Sequence, residues 1–228
     1  EKPYIMIGAY AAGKIGTVPV SLPGLDPYNT VDFDTAKSLC SAKGTGWHLM
    51  TNWEWAAVAL WCLKNGYQPR GNTYYGRAYD AVHENALRYD AALPGLTTGI
   101  PRTKAGSGPA AWNHDNSPAG IADLVGNVWE WEDGFKLVDN ILYMATDNYY
   151  AGAESAWTQV NCGVSGSSSG VVWVSTADPS GYSALSAALQ QVLVQAMIRP
   201  ALSGGTKPYT PFGACFYTTT DTRVLIRG

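Results

Sequence analysis

Gly120-Ile121-Ala122-Asp123-Leu124-Val125-Gly126-Asn127-Val128-Trp129-Glu130-Trp131 packs a glycine, an amide, two indoles and a carboxylate into its second half. Gly126 admits a backbone geometry or a close approach that a Cβ would forbid. Trp129 and Trp131 stand two apart, so on an extended strand they are expected to share one face, with Glu130 on the other. A buried aromatic face backed by an ionised residue is more than an ordinary edge strand needs.

Upstream of this motif the pattern is helical in two places. Phe33, Ala36, Leu39 and Cys40 recur at helical spacing, which predicts a helix from Asp32 to Lys43 stopped at Gly44. Thr51-Asn52-Trp53-Glu54 reads as a capping box that opens a second helix, Trp53 to about Asn65. That helix is apolar on most sides and is expected to be deeply buried. Residues 4–8 read as a short strand, and residues 11–30 and 67–118 as loops rich in Gly, Pro, Asn and Tyr.

Downstream, Phe135–Val138 and Ile141–Met144 flank Asp139-Asn140, a two-residue hairpin signal. A Gly/Ser-rich turn at 163–170 precedes an expected strand at 171–175. A third helix is expected over Ser183–Ile198, with Ser183 as cap and Pro200 as stop. Val224–Ile226 reads as a last strand. No repeat or linker divides the 228 residues, so a single domain is expected.

Composition sets further bounds. Hydrophobic residues make up 46% and charged residues 14%, a globular balance. A net charge of −3 gives no electrostatic case for nucleic acid or anionic lipid. No apolar run approaches the roughly 18 residues that span a bilayer, so no membrane insertion is expected. Nine Trp and 14 Tyr against four Phe favour half-wet surfaces, because both rings carry a polar tip. Cys40, Cys62, Cys162 and Cys215 form no C-x-x-C pair and no zinc spacing, and Cys40 and Cys62 read as buried reduced thiols.

Three segments, in order, resemble the formylglycine-generating (sulfatase-modifying) branch of the C-type lectin fold. They are Ala36–Ala59 with His48-Leu49-Met50-Thr51-Asn52-Trp53-Glu54-Trp55, the Gly126–Trp131 motif with its lead, and Arg223-Val224-Leu225-Ile226-Arg227-Gly228. The resemblance implies an α+β fold in which two helices flank a small twisted antiparallel sheet, with long loops. Residues from about 140 to 220 then read as an insertion, and the sequence as incomplete at its C-terminal end. Within the branch the chain is most similar to the variable proteins of diversity-generating retroelements. That likeness implies a binding protein without catalysis, its variable surface beginning near Arg227 and Gly228, and an unidentified protein or glycan as ligand. Gly126, Asn127, Trp129, Glu130 and Trp131 would form the framework beneath that surface. A virion or cell surface is the expected location, and oligomeric state is left open.

The rival implication is oxidation of a protein cysteine. Formylglycine-generating members hold copper on a C-terminal cysteine pair, because thiolates suit a soft metal. No pair here matches it: Cys215 stands alone and Cys162 sits in a Gly-rich loop. Another branch binds non-haem iron through three histidines on a helical domain, and His48, His83 and His114 show no such spacing. No cofactor is required by the binding reading. Some members bind calcium at the central motif; carried over, the ligands would be Asp123, the carbonyls of Gly126 and Val128, and Glu130, a set of hard oxygens. The competing reading has Asp123 and Glu130 bonded to backbone amides and an indole. Gly166–Gly170 fits G-x-S-x-G but lacks the strand-to-helix setting of a nucleophile elbow. His114 beside Asp115 reads as a loop histidine bonded to backbone, and Trp47, Trp53, Trp55 and Trp61 as core packing rather than a sugar platform.

Overall fold

The computed structural model describes residues 4–139, 141–160, 182–198 and 222–228. The chain packs as two compact units. One comprises Glu1–Met50, Val58–Trp131 and Ile226–Gly228, the other Thr51–Ala57 and Glu132–Leu225. The architecture is α+β, with three α-helices and two small sheets among the described residues.

The first unit opens with a short antiparallel hairpin, β1 (Gly13–Ile15) and β2 (Val18–Val20), in register Ile15↔Val18. This corrects the expected loop there and the expected strand at 4–8. Lys14-Ile15 and Val18 close across the Gly16-Thr17 turn, whereas residues 4–8 gain no partner strand, leaving Met6 89% exposed. Helix α1 (Phe33–Ser41) starts where the pattern places it. The Asp32 carboxylate accepts from the Thr35 N–H and hydroxyl, both at 2.8 Å, and so caps the helix.

Helix α2 (Asn52–Lys64) begins in the second unit and continues in the first. Its capping box is formed: Thr51 N–H donates to Glu54 Oε2 at 3.1 Å, and Glu54 N–H to Thr51 Oγ1 at 3.2 Å. Burial is less complete than expected. Cys62 is buried but Trp61 is 43% exposed, because that indole lies on Tyr67 and His114 at the surface instead of in a core.

Residues 67–118 are loop, as read, with one 3₁₀ turn (Ala110–Trp112) and isolated bridges. Their apolar centre is small: Trp112 among Ala78, Ala81 and Ala86. Polar contacts do the rest. The Arg88 side chain is fully buried and all five of its N–H groups find acceptors. It donates to both Asp90 carboxylate oxygens at 3.0 and 2.8 Å, to Leu96 O and Thr98 O at 2.6 Å each, and to Leu93 O at 3.4 Å. Arg102 pairs with Asp26 at 2.6 and 2.7 Å. Arg70 pairs with Glu84, which also accepts from the Trp112 indole at 2.9 Å. Those partners hold the Glu84 carboxyl below the usual range, Arg70 contributing most.

β3 (Glu130–Val138), which belongs to the second unit from Glu132 on, forms an antiparallel meander there with β4 (Ile141–Met144) and β5 (Thr158–Val160). Its hairpin pairs Val138 with Ile141 and Phe135 with Met144, with Asp139 at φ +47° in the turn, as the Asp-Asn signal predicts. Helix α3 (Ala187–Gln195) and β6 (Thr222–Arg227) complete the elements, and the sheet order is β5-β4-β3-β6. The cap of α3 is Ser186, whose hydroxyl accepts from Leu189 N–H at 3.3 Å. Ser183 instead lies in a preceding 3₁₀ turn, Tyr182–Ala184. Phe135, Leu142, Met144, Val160, Leu193 and Ala196 make the core, with Trp53 tilted onto Phe135 at 5.4 Å. Burying one such large side chain contributes roughly 1.5–3 kcal/mol.

Cys162, Cys215, the Gly166–Gly170 pattern, the expected strand at 171–175 and most of 140–220 lie outside the described residues. No helix among the described residues is long and apolar enough to cross a membrane.

Candidate functional site

The central motif is built on a backbone contact between two glycines' neighbourhoods. A Cβ on Gly126, which sits at φ +75°, would collide with the Asn72 backbone; one on Gly71 would collide with the Val125 carbonyl. Bare peptide therefore meets bare peptide, through a parallel bridge between Asn72 and Gly126.

Asn127 follows at φ +67°, a left-handed position that asparagine tolerates. Its Oδ1 accepts from Thr103 N–H at 2.7 Å, Thr103 Oγ1 at 3.1 Å and Asn72 Nδ2 at 3.2 Å. Its Nδ2 donates to Thr103 O at 3.1 Å. Asn72 extends the clip, donating to Pro101 O at 2.8 Å and accepting from Gly76 N–H at 2.7 Å. One asparagine pair thus ties residues 72–76, 101–103 and the motif together. Beside it lies an open cleft of about 280 Å³ lined by Asn72, Thr73, Tyr74, Tyr75, Pro101 and Asn127.

Asp123 and Glu130 are near enough to oppose each other's charge. Asp123 is buried, sits at φ +60° and accepts from Gly106 N–H at 2.7 Å through Oδ2. Burial pushes its carboxyl up. Burial first, then the Asp123 charge, pushes Glu130 up to about 7. No donor among the described residues reaches the Glu130 carboxylate, so the expected bonds to an amide and an indole are formed only in part, by Asp123. A hard divalent ion would relieve this like-charge burial, and the backbone oxygens expected to join it are the Gly126 and Val128 carbonyls. No group of three or more His, Cys, Asp or Glu among the described residues offers a metal site, so such an ion would depend on those carbonyls.

The two indoles of the motif part company, against the expectation of one shared buried face. Trp131 donates its indole N–H to Val31 O at 2.8 Å and meets Phe33 edge-on at 6.1 Å. Trp129 is 76% exposed. The reason is local: the left-handed turn at Gly126-Asn127 delays the strand, β3 begins only at Glu130, and the two-residue alternation does not extend back to Trp129. Gly228 lies against this same place, with an added Cβ reaching 3.3 Å from Trp129 Cα and striking Val128 O. β6 thus ends at Arg227, and Gly228 follows it against the Val128–Trp129 backbone.

Other candidates resolve simply. His114 Nδ1 accepts from Ile121 N–H at 2.8 Å, with Asp115 3.8 Å away and engaged by Ser117, so it is the backbone-bonded loop histidine expected. Trp47 is 58% exposed, under the Lys43 ammonium at 4.5 Å, so core packing fails for Trp47 and Trp61. Cys40 and Cys62 are free thiols, each pushed up by burial. Asn72, Thr103, Gly71 and Arg88 were not legible as site or framework residues; Gly71-Asn72, a glycine–amide pair like Gly126-Asn127, is the signal that stood in the sequence.

These features define a C-type lectin-like domain. A family model for the sulfatase-modifying factor enzyme 1-like domain matches residues 13–175, and the chain belongs to that family, which holds enzymes and non-enzymes. No curated protein matches the chain significantly.

Proposed function

We propose that this protein is a ligand-binding display module without catalysis, of the kind made variable by a diversity-generating retroelement. The observation that carries the reading is Trp129, an indole 76% exposed within the most specific motif and beside Gly228. Large exposed aromatics on a rigid frame are effective anchors for a partner, since little side-chain entropy is lost on contact. The frame is the Asn72–Asn127–Thr103 clip, whose Asn127 precedes Trp129 by two residues. Arg227, Gly228 and Trp129 would border the binding face, and a protein or glycan met at a virion or cell surface would be the ligand. Calcium, if bound by Asp123, Glu130 and the Gly126 and Val128 carbonyls, would supply charge neutralisation to the frame and no chemistry. The oxidase alternative needs a thiolate pair for copper, whereas burial pushes the Cys40 and Cys62 thiols up, against the thiolate.

Sequencing the gene and its flanks from related isolates tests the reading. Substitutions scattered beyond Arg227-Gly228, an unchanged 71–131 region and a near-identical template repeat beside a reverse transcriptase are expected. A cysteine pair in that segment, with copper-dependent conversion of a peptide cysteine seen by mass spectrometry, would replace it with the oxidase. Calorimetric titration with calcium after chelation tests the ion: neither heat nor a thermal shift would remove it.

A further inference from the structure

Tyr74-Tyr75-Gly76-Arg77 forms a two-residue hairpin turn of its own. Tyr74 N–H donates to Arg77 O at 2.9 Å and Arg77 N–H to Tyr74 O at 3.2 Å. Tyr75 and Gly76 take φ +47° and +88°, the paired positive angles of a type I′ turn. A tyrosine there is strained, and neighbouring backbone holds it: Gly95 N–H donates to Tyr75 O at 2.7 Å, and Ala86 N–H to Gly76 O at 2.9 Å. The turn makes Tyr74 and Arg77 a cross-strand pair, and the guanidinium lies over the Tyr74 ring at 5.1 Å. Gly95 flanks it so closely that a Cβ there would come within 2.9 Å of the guanidinium.

Arg77 differs from its neighbours in one respect. Arg70, Arg88 and Arg102 are each held by a carboxylate, Glu84, Asp90 and Asp26 in turn. Among the described residues Arg77 forms no ion pair, and its Nε is buried with no acceptor. Its terminal nitrogens are not buried. A partly desolvated cation without a counter-charge is costly, and the planar fork matches two oxygens of one anion. Tyr79, 73% exposed, meets the Tyr74 ring edge-on at 5.9 Å, and Tyr74 and Tyr75 also wall the adjacent cleft. The amides of Asn72 and Asn127 in that cleft are already committed to protein partners, which leaves the Tyr74 and Tyr75 rings among the surfaces it can offer a ligand.

The geometry points to a ligand site at this hairpin, in which Arg77 grips the oxyanion of a small acid whose body lies against Tyr74. The oxyanion is a carboxylate or a phosphate. The site does not depend on the Trp129 reading.

Two-dimensional NMR of the arginine side-chain Nε–H groups tests it on the intact chain, at constant ionic strength, with benzoate, inorganic phosphate and neutral benzyl alcohol as probes. A saturable shift of the Arg77 signal and of the Tyr74 and Tyr79 rings is expected with benzoate or phosphate, and the better probe tells which oxyanion is taken. The ion-paired Arg102 signal should stay still, and R77Q should bind at least about tenfold more weakly, the loss of one charge-assisted bond. Linear unsaturated drift, equal shifts at Arg77 and Arg102, or unchanged binding by R77Q would overturn the site. If R77Q fails to fold, the Arg77-against-Arg102 contrast in the unaltered protein decides the matter.

Discussion

In the second unit Phe135, Leu142, Met144, Val160, Leu193 and Ala196 bury against one another as a continuous apolar core, whereas in the first the buried centre is Trp112 among alanines. The first unit makes up the difference with directed bonds: Arg88 to Asp90 and three carbonyls, Asp26 to Arg102, Asn127 to Thr103 and Asn72. Apolar burial is non-directional and suits periodic elements that can present one face. Hydrogen bonds fix single conformations of a chain that has no period, which a long loop region requires. The central motif departs from that pattern. Arg70, Arg88 and Arg102 are each balanced by a carboxylate, whereas Asp123 and Glu130, like Arg77, leave their charge unbalanced.

The largest effects should come from removing the chief holder of each unit. Arg88→Ala is expected to cost about 3–5 kcal/mol, because Asp90 and three carbonyls lose their donor. Phe135→Ala should cost a similar amount, about 3–5 kcal/mol, through the cavity it leaves. Urea unfolding followed by hydrogen exchange would separate them: the first should deprotect residues 88–104 most, the second the β3–β4 hairpin. A uniform loss in both variants would erase the contrast between the units.

Next in size is the pH response of the motif. The folded protein holds the Glu130 proton more tightly than the unfolded chain does, with a value of about 7 against the ordinary 4.5. Stability is therefore full below the ordinary glutamate range and declines as pH rises towards 7, by up to roughly 3 kcal/mol. Asp123, raised in the same direction, adds to the slope. Thermal unfolding from pH 4 to 8 should show the decline, and E130Q should flatten it. A flat profile in the unaltered protein would contradict the unbalanced pair.

Asn127→Ala should cost about 1–3 kcal/mol, since it frees the Thr103 amide and strains a left-handed residue. The smallest effect is Thr51→Ala, about 1 kcal/mol through the lost cap of α2, measurable by the shift in urea midpoint. If Asn127→Ala proved as mild as Thr51→Ala, the clip would be no more than a local turn.

Legibility in the sequence follows the same division. The capping box at Thr51, the Asp139-Asn140 hairpin and α1 could be read because they depend on neighbours a few residues apart. The role of Gly126 as a point of close approach was legible for the same reason, though not that Asn72 is what approaches it. The fate of Trp129 was not legible. Two left-handed residues just before it end the extended geometry, and strand alternation was carried through them. Arg88 and Thr103 gave no signal, and Asn72 none beyond its pairing with Gly71, because their partners are set by how a non-periodic loop folds back, as when Asn72 meets Asn127. Burial of α2 was overstated because an apolar sequence does not say which apolar side chains meet other aromatics at the surface, as Trp61 does.

The bare-peptide junction at Gly71 and Gly126 also bears on how this family can change. It pins both ends of everything between them, so the intervening ring of chain is closed whatever its length. Lengthening a ring already closed adds little entropy cost, growing only with the logarithm of its size. Insertions at an exposed turn of that ring, such as Tyr79-Asp80, should then be absorbed without displacing the motif, while the bonds of Glu84, Arg88 and Asp90 stay in place. The pair of glycines acts as a splice point, letting natural variants lengthen or trim one lobe while the opposite surface keeps its register.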